Sequence, residues 1–145
     1  MSEVPVALLD VNALVALTVS THQHHRAAHV FLGSQVAWAT CPMTEAGLIR
    51  ILLNPLVAGR ELRQAHVQTV LSGFRRDQRW RFVADASTLA DPLVDTEVLM
   101  GRQQVTDLHL VNLAATTGCR LATFDAAMVT WLAPGDHRHV QLIPA

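Results

Sequence analysis

Lysine is absent from this chain: all 11 basic residues are arginine. Chemistries that need a lysine amine are thereby excluded, Schiff-base formation and the phosphate-holding lysine of a Walker A loop among them. Cysteine is scarce. Cys41 and Cys119 form no CxxC pair and read as small buried hydrophobes in a reducing compartment. Charge is thin as well, at 16% of residues with a net value of −1 at pH 7, so a polyanion must be gripped by a local patch and not by a global field. No apolar run is long enough to cross a bilayer. The apolar stretch near the N-terminus is broken by Asp10 and Asn12 and has no basic start, so no targeting segment and no membrane contact are expected, and the expected location is the cytoplasm. Internal repeats, linkers and low-complexity segments are also missing.

What is present is apolar material for a core. Of 145 residues, 50% are hydrophobic, and the mean hydropathy is +0.26; this is enough for a single domain over residues 1–145. Val4–Leu9 is a short apolar run that reads as a buried strand, turning at Asp10-Val11-Asn12 into a helix over Ala13–Val19. Thr21 is placed to cap a second helix running through Phe31-Leu32 and closed by Gly33. Val36–Ala39 reads as a strand. Pro42 opens a helix with Leu48, Ile49, Leu52 and Leu53 on one face, stopped by Asn54-Pro55. Arg60–Phe74 has helical periodicity, with Leu62, Ala65, Val70 and Leu71 inward, and Trp80–Val83 alternates as a strand does. Pro92 interrupts a poorly patterned stretch, with a short helix expected at Thr96–Met100. Thr106 is placed to cap a helix that buries Leu108, Val111, Leu113 and Ala114 and ends at Gly118. Arg120–Thr123 is a strand, Ala126–Trp131 a short helix and Val140–Ile143 a last strand. Short apolar strands alternating with helices define an α/β domain with a mainly parallel sheet.

The acidic residues are few, 12 in all, yet four stand at the mouths of apolar segments. Asp10 and Asp125 directly follow expected strands. Glu45 and Asp107 lie in the first turns of expected helices, where the positive end of the helix favours a carboxylate. In a parallel sheet ligands bind beyond the carboxyl ends of the strands, so all four are expected to share one edge. Gathered carboxylates need a cation. An all-oxygen set suits Mg²⁺ or Mn²⁺, with a metal-activated water as the nucleophile for phosphodiester hydrolysis. Asp10 and Asp107 are the expected direct ligands; Glu45 and Asp125 ligate or act through bound water.

The words around these residues are Leu8-Leu9-Asp10-Val11-Asn12, Trp38-Ala39-Thr40-Cys41-Pro42-Met43-Thr44-Glu45, Gln104-Val105-Thr106-Asp107 and Arg120-Leu121-Ala122-Thr123-Phe124-Asp125. In order and spacing they resemble a PIN domain, in particular the VapC toxins of bacterial toxin–antitoxin systems, over Val6 to Ile143. The resemblance implies a PIN-like α/β/α sandwich on a five-stranded, mainly parallel sheet. It also implies a metal-dependent endoribonuclease, a homodimer, an RNA substrate and a VapB-type antitoxin partner. Asp10, Glu45, Asp107 and Asp125 match the family's acidic quartet, and Asn12 and Thr106 its accompanying polar positions. Two alanines follow Asp125 where many PIN domains carry another polar side chain, which leaves one metal ion or two open. Residues 57–95 match no family word, and substrate choice is expected to reside there.

Three further groups invite a reading. His22, His24, His25 and His29 have spacing for a zinc site, but lack a fitting Cys or Glu; a helix surface with satisfied histidines is the expectation. Arg75, Arg76, Arg79 and Arg81 surround Trp80. All four are candidate phosphate contacts, Arg75 and Arg76 foremost, or else part of a solvated loop, whereas Trp80 is expected to pack inward with Phe82. Arg50, past Glu45 on the same helix, is expected to pair with a carboxylate of the pocket, to hold substrate phosphate or to make a plain surface ion pair. Against the nuclease stand a phospho-acceptor receiver and a haloacid-dehalogenase-like phosphatase. Both need a lysine, and the latter a second Asp where Asn12 stands. The remaining alternative is a degenerate PIN domain that binds RNA or a protein without cutting.

Overall fold

Five short strands, none longer than five residues, lie side by side in one sheet of order β3-β2-β1-β4-β5, every neighbour parallel. The computed structural model describes residues 4–58 and 62–145. The strands are β1 (Val6–Leu9), β2 (Trp38–Thr40), β3 (Trp80–Phe82), β4 (Cys119–Thr123) and β5 (Val140–Leu142). The helices are α1 (Val11–Thr18), α2 (His25–Gly33), α3 (Pro42–Leu52), α4 (Pro55–Ala58), α5 (Gln64–Arg76), α6 (Val105–Thr117) and α7 (Ala126–Trp131). This is the expected α/β/α sandwich. The chain builds outward from β1 through β2 to β3, then returns to pair β4 with the other side of β1, so the order reverses beside β1. In open parallel sheets that reversal is where a cleft forms.

Alternation along the strands explains the two cores. Ala7, Leu9, Trp38 and Ala122 pack with α1, α2 and the inner residues Leu48 and Leu52 of α3. Leu8, Ala39 and Leu121 face the other way, onto Leu108, Val111 and Leu113 of α6 and Met128 of α7. The period of two carries past the strand ends: Asp10 follows Leu8, and Thr123 follows Leu121, so both turn toward the α6 side. Helix α6 ends where expected, at Gly118, whose φ of 72° is the left-handed conformation that releases a helix. Helices α1 and α3 meet at Gly47, where a Cβ would lie 2.6 Å from Val11 Cγ2. Among the described residues no helix is long and apolar enough to cross a membrane.

Several local expectations are corrected. Thr21 caps nothing; residues 20–24 form turns, and α2 begins at His25. Gly33 is the last residue of α2, and Ser34, in right-handed conformation, ends it. Val36 is exposed outside β2, and Leu53 is exposed because α3 ends one residue earlier. Pro55 both stops α3 and opens α4. The start of the helix expected over Arg60–Phe74 falls at residues 59–61, outside the described residues; the observed helix is Gln64–Arg76, and its buried residue is Val67, while Ala65 is exposed. Phe82 is 47% exposed although it shares a face with Trp80, because it ends β3, an edge strand. No helix forms at 96–100. Just before it, Asn112 accepts from Leu93 N (2.8 Å) and the buried Asp136 from Asp95 N (2.9 Å); within it, Asp95 accepts from Glu97 N (2.9 Å) and Gln104 from Met100 N (2.7 Å). A 3₁₀ turn over Arg102–Gln104 runs into α6, so Thr106 lies in its first turn and does not cap it.

Candidate active site

Asp10 leaves β1 and caps α1. Its Oδ1 accepts from Val11 N at 2.7 Å and its Oδ2 from the Thr123 hydroxyl at 2.8 Å. Only 6% of the residue is exposed. Burial raises its carboxyl pKa above the usual value; the hydrogen bonds from Thr123 and Val11 pull the other way, and the charge of Asp125 adds to the rise.

Thr123, fully buried at the end of β4, joins three of the polar positions. Its single proton goes to Asp10. Its oxygen accepts from Asn12 Nδ2 (2.9 Å) and from Asp125 N (3.1 Å). One donor and two acceptor positions are thus filled, which leaves the hydroxyl no freedom. Asn12 closes a ring by accepting from Phe124 N at 3.1 Å. Asp125 caps α7, with Oδ1 accepting from Ala127 N at 3.0 Å.

Asp107 comes from α6. Its pKa is pushed up to about 6, first by burial and then by the charges of Asp10 and Asp125. Three aspartates from three different elements therefore feel one another, although none is near another in sequence. Glu45 reaches the same carboxyl edge from the first turn of α3, where Cys41 N donates to Thr44 Oγ1 (3.1 Å) to start the helix. Its Oε2 accepts from the Thr40 hydroxyl at 2.6 Å. Among the described residues no three His, Cys, Asp or Glu side chains stand as a ready-made ligand group. The donor chemistry nonetheless fits Mg²⁺ or Mn²⁺. It is all oxygen and anionic, it includes an Asp107 carboxylate without a hydrogen-bond partner among the described residues, and such ions need only one or two carboxylates because they keep waters.

Beside these residues runs a cleft of about 570 Å³, lined by Val11, Met43, Gly47, Arg50, Asp85 and Thr106 among others. Thr106 is exposed on its wall. Arg50, also exposed, has no ion pair among the described residues, so it is free to meet an anion entering the cleft. The other arginines divide. Arg79 is structural: it grips Asp77 through two nitrogens (3.1 and 2.8 Å) and donates to the carbonyls of Leu32 and Gln35. Arg81 donates to nearby carbonyls, Arg75 lies over the Trp80 ring at 5.1 Å, and Arg76 is exposed.

The histidines are satisfied singly, as the helix-surface reading expects. His25 Nδ1 donates to the carbonyl of Ala16 (2.8 Å) and His29 Nε2 to that of Leu17 (3.0 Å), carbonyls in the last turn of α1. His24 stacks on Phe124 with ring centroids 4.7 Å apart. His25 and His29 thus each commit one ring nitrogen to a carbonyl of α1.

Sequence reasoning named the acidic positions but passed over Thr123, Thr40 and the indole of Trp80 as site residues. A polar residue closing each of two otherwise buried strands, β2 and β4, was the available signal.

Comparison with known proteins agrees with this geometry. The PIN domain family profile matches residues 7–129. The chain belongs to the PIN-domain family. Its relatives within it include VapC proteins of Mycobacterium tuberculosis. Ribonuclease VapC38 (strain H37Rv) is 43% identical over 127 residues, covering 86% of this chain and 89% of that protein. Ribonuclease VapC29 is 38% identical over 122 residues, covering 83% and 86%. Ribonuclease VapC39 is 38% identical over 135 residues, covering 84% and 90%.

Proposed function

We propose that this chain is an endoribonuclease toxin of a toxin–antitoxin pair, residues 1–145 forming one PIN-like domain. Asp10, Glu45, Asp107 and Asp125 are its catalytic carboxylates. The observation that carries the reading is that Asp10 and Asp125 are tied together through Thr123 and both raise the pKa of Asp107, in a chain 43% identical to a ribonuclease. These carboxylates would hold Mg²⁺ or Mn²⁺, which supplies positive charge for the pentacoordinate transition state and makes a water more acidic.

The chain's own contribution is preorganisation. Thr123 and Val11 N fix the two oxygens of Asp10 in a buried setting, so little reorganisation is needed when a phosphodiester arrives. Asn12 and Thr123 hold Asp125 at the mouth of α7 through the backbone of residues 124 and 125. Asp107, with its raised pKa, would take up or release a proton near neutral pH more readily than an ordinary aspartate. Arg50, on the cleft wall, would hold a phosphate of the RNA, with Arg76 and Arg75 as outer contacts. A VapB-type antitoxin would inhibit by covering this cleft, and the toxin would work as a homodimer in the cytoplasm.

Purified, antitoxin-free protein should cleave structured RNA with Mg²⁺ or Mn²⁺ and stop in excess chelator. Asp10→Ala should lower the rate on the order of a thousandfold or more, through loss of several kcal/mol of transition-state stabilisation, while circular dichroism stays native. Cleavage that persists in chelator, or in that variant, would refute the mechanism. A wild-type protein that binds RNA but never cuts it would favour a degenerate binding domain.

A further inference from the structure

We propose that Thr40 and Trp80 are positioning residues for Glu45, with the indole N–H of Trp80 dictating which way the Thr40 hydroxyl points. The idea rests on the reading of Glu45 as a catalytic carboxylate and adds how its orientation is set.

The placement follows from strand pairing. In the parallel β2–β3 ladder Trp80 lies opposite Trp38, and Thr40 is two residues further along β2, on the same face as Trp38. That diagonal is within reach of a large aromatic side chain. Trp80 Nε1 donates to Thr40 Oγ1 at 3.0 Å, and Thr40 Oγ1 donates to Glu45 Oε2 at 2.6 Å.

The direction of this chain is forced. An indole nitrogen can only donate, and a threonine hydroxyl has one proton. Once Oγ1 accepts from Trp80, its proton remains for the carboxylate, and the short distance is that of a charge-assisted bond. Thr40 is completely buried, and its hydroxyl has no other partner among the described residues. One oxygen of Glu45 is thereby fixed. Oε1, which has no hydrogen bond among the described residues, is left for a ligand. Arg75 strengthens the first link, because a cation 5.1 Å from the centre of the indole face draws electron density from the ring and makes its N–H a better donor.

Trp80 also packs near Phe82, with centroids 6.3 Å apart, so a purely structural role must be separated from the positioning one. Three measurements do so. In metal-free protein, the Trp80 indole N–H resonance should move upfield in Glu45→Gln and further in Thr40→Val. The indole of Trp38, which donates to Asp77, should stay put as the internal reference. Titration with Mn²⁺ should show a midpoint weakened roughly tenfold in Thr40→Val and less in Trp80→Phe, with Thr40→Ser near wild type. In RNA cleavage both Thr40→Val and Trp80→Phe should lower kcat with KM little changed, and Thr40→Ser should restore it.

An indole resonance that ignores both Glu45→Gln and Thr40→Val would overturn the relay. So would a Trp80→Phe protein that melts lower yet keeps the wild-type Mn²⁺ midpoint and kcat. If wild-type protein cuts no RNA at all, the nuclease reading fails, and the resonance and Mn²⁺ arms still decide the relay. Should Trp80→Phe not fold, the Thr40 pair and Glu45→Gln decide it alone.

Discussion

Asp107 is the residue whose environment most opposes its charge. An unperturbed aspartate titrates at 3.8, and this one at about 6, because of burial and the neighbouring Asp10 and Asp125. The folded protein therefore favours the protonated form more than the unfolded chain does. Without metal, that contribution is fully present below about pH 4 and is lost as pH rises through about 6. Metal-free wild type should accordingly lose stability between pH 4 and 7, and Asp107→Asn should remove much of that slope. Near pH 7 the variant should be more stable by about 1–2 kcal/mol, allowing for screening of a partly exposed group. Denaturant melts of both proteins at several pH values, in chelator, provide the check; parallel curves would show that Asp107 is not repelled. Asp77 has the opposite sign. Its pKa is held down to about 2, chiefly by its hydrogen bond from Arg79, so its contribution is present above about pH 4 and fades as pH falls through about 2.

At the scale of elements, the placement of the site depends on how closely α1 and α3 approach. Gly47 permits that approach, because any Cβ there would overlap Val11, the residue after Asp10. Gly47→Ala should push α3 away from α1 and cost about 1–3 kcal/mol by overpacking, despite alanine's better helix propensity. Cleavage should fall more than stability alone accounts for, since Glu45 moves with α3. A variant as stable and active as wild type would mean that Val11 yields freely.

The same scale shows what could be read from the chain. Ala126–Trp131 was expected with its observed limits, the start of α3 at Pro42 and the release of α6 at Gly118 likewise, because each carries its own stop or start chemistry. Thr21 misled, since the turn before α2 is held by His25 and His29 reaching back to α1, a contact that no local pattern encodes. The acidic positions were legible because a carboxylate closing an apolar strand is a local signal. Thr123 and the Thr40–Trp80 pair were not, because their roles lie in partners 40 and 113 positions away.

For the whole molecule, the net charge of −1 means that any cation or polyanion must be drawn by local charge. Millimolar Mn²⁺ at about ten times its dissociation constant should raise the melting temperature of wild type by roughly 3–5 °C, and Asp10→Ala should lose most of that rise. An unchanged wild-type melt would mean that the cation is not held without RNA. Arg76→Ala should weaken RNA binding evenly across sequences and reduce the slope of log affinity against log salt by about one. Arg79→Ala should instead destabilise the fold, because that side chain is committed to Asp77 and two carbonyls.

The pairing of β1 with β4 also sets a schedule. Asp10 and the hydroxyl that orders it are 113 positions apart, and among the described residues no nearer one donates to that carboxylate oxygen. On the ribosome, Asp10 emerges early and waits for β4 to be translated and to leave the exit tunnel. Until then the central strand lacks one of its two neighbours and the acidic cluster lacks Asp125. The ordering of Asp10 is therefore completed only after most of the chain has been made.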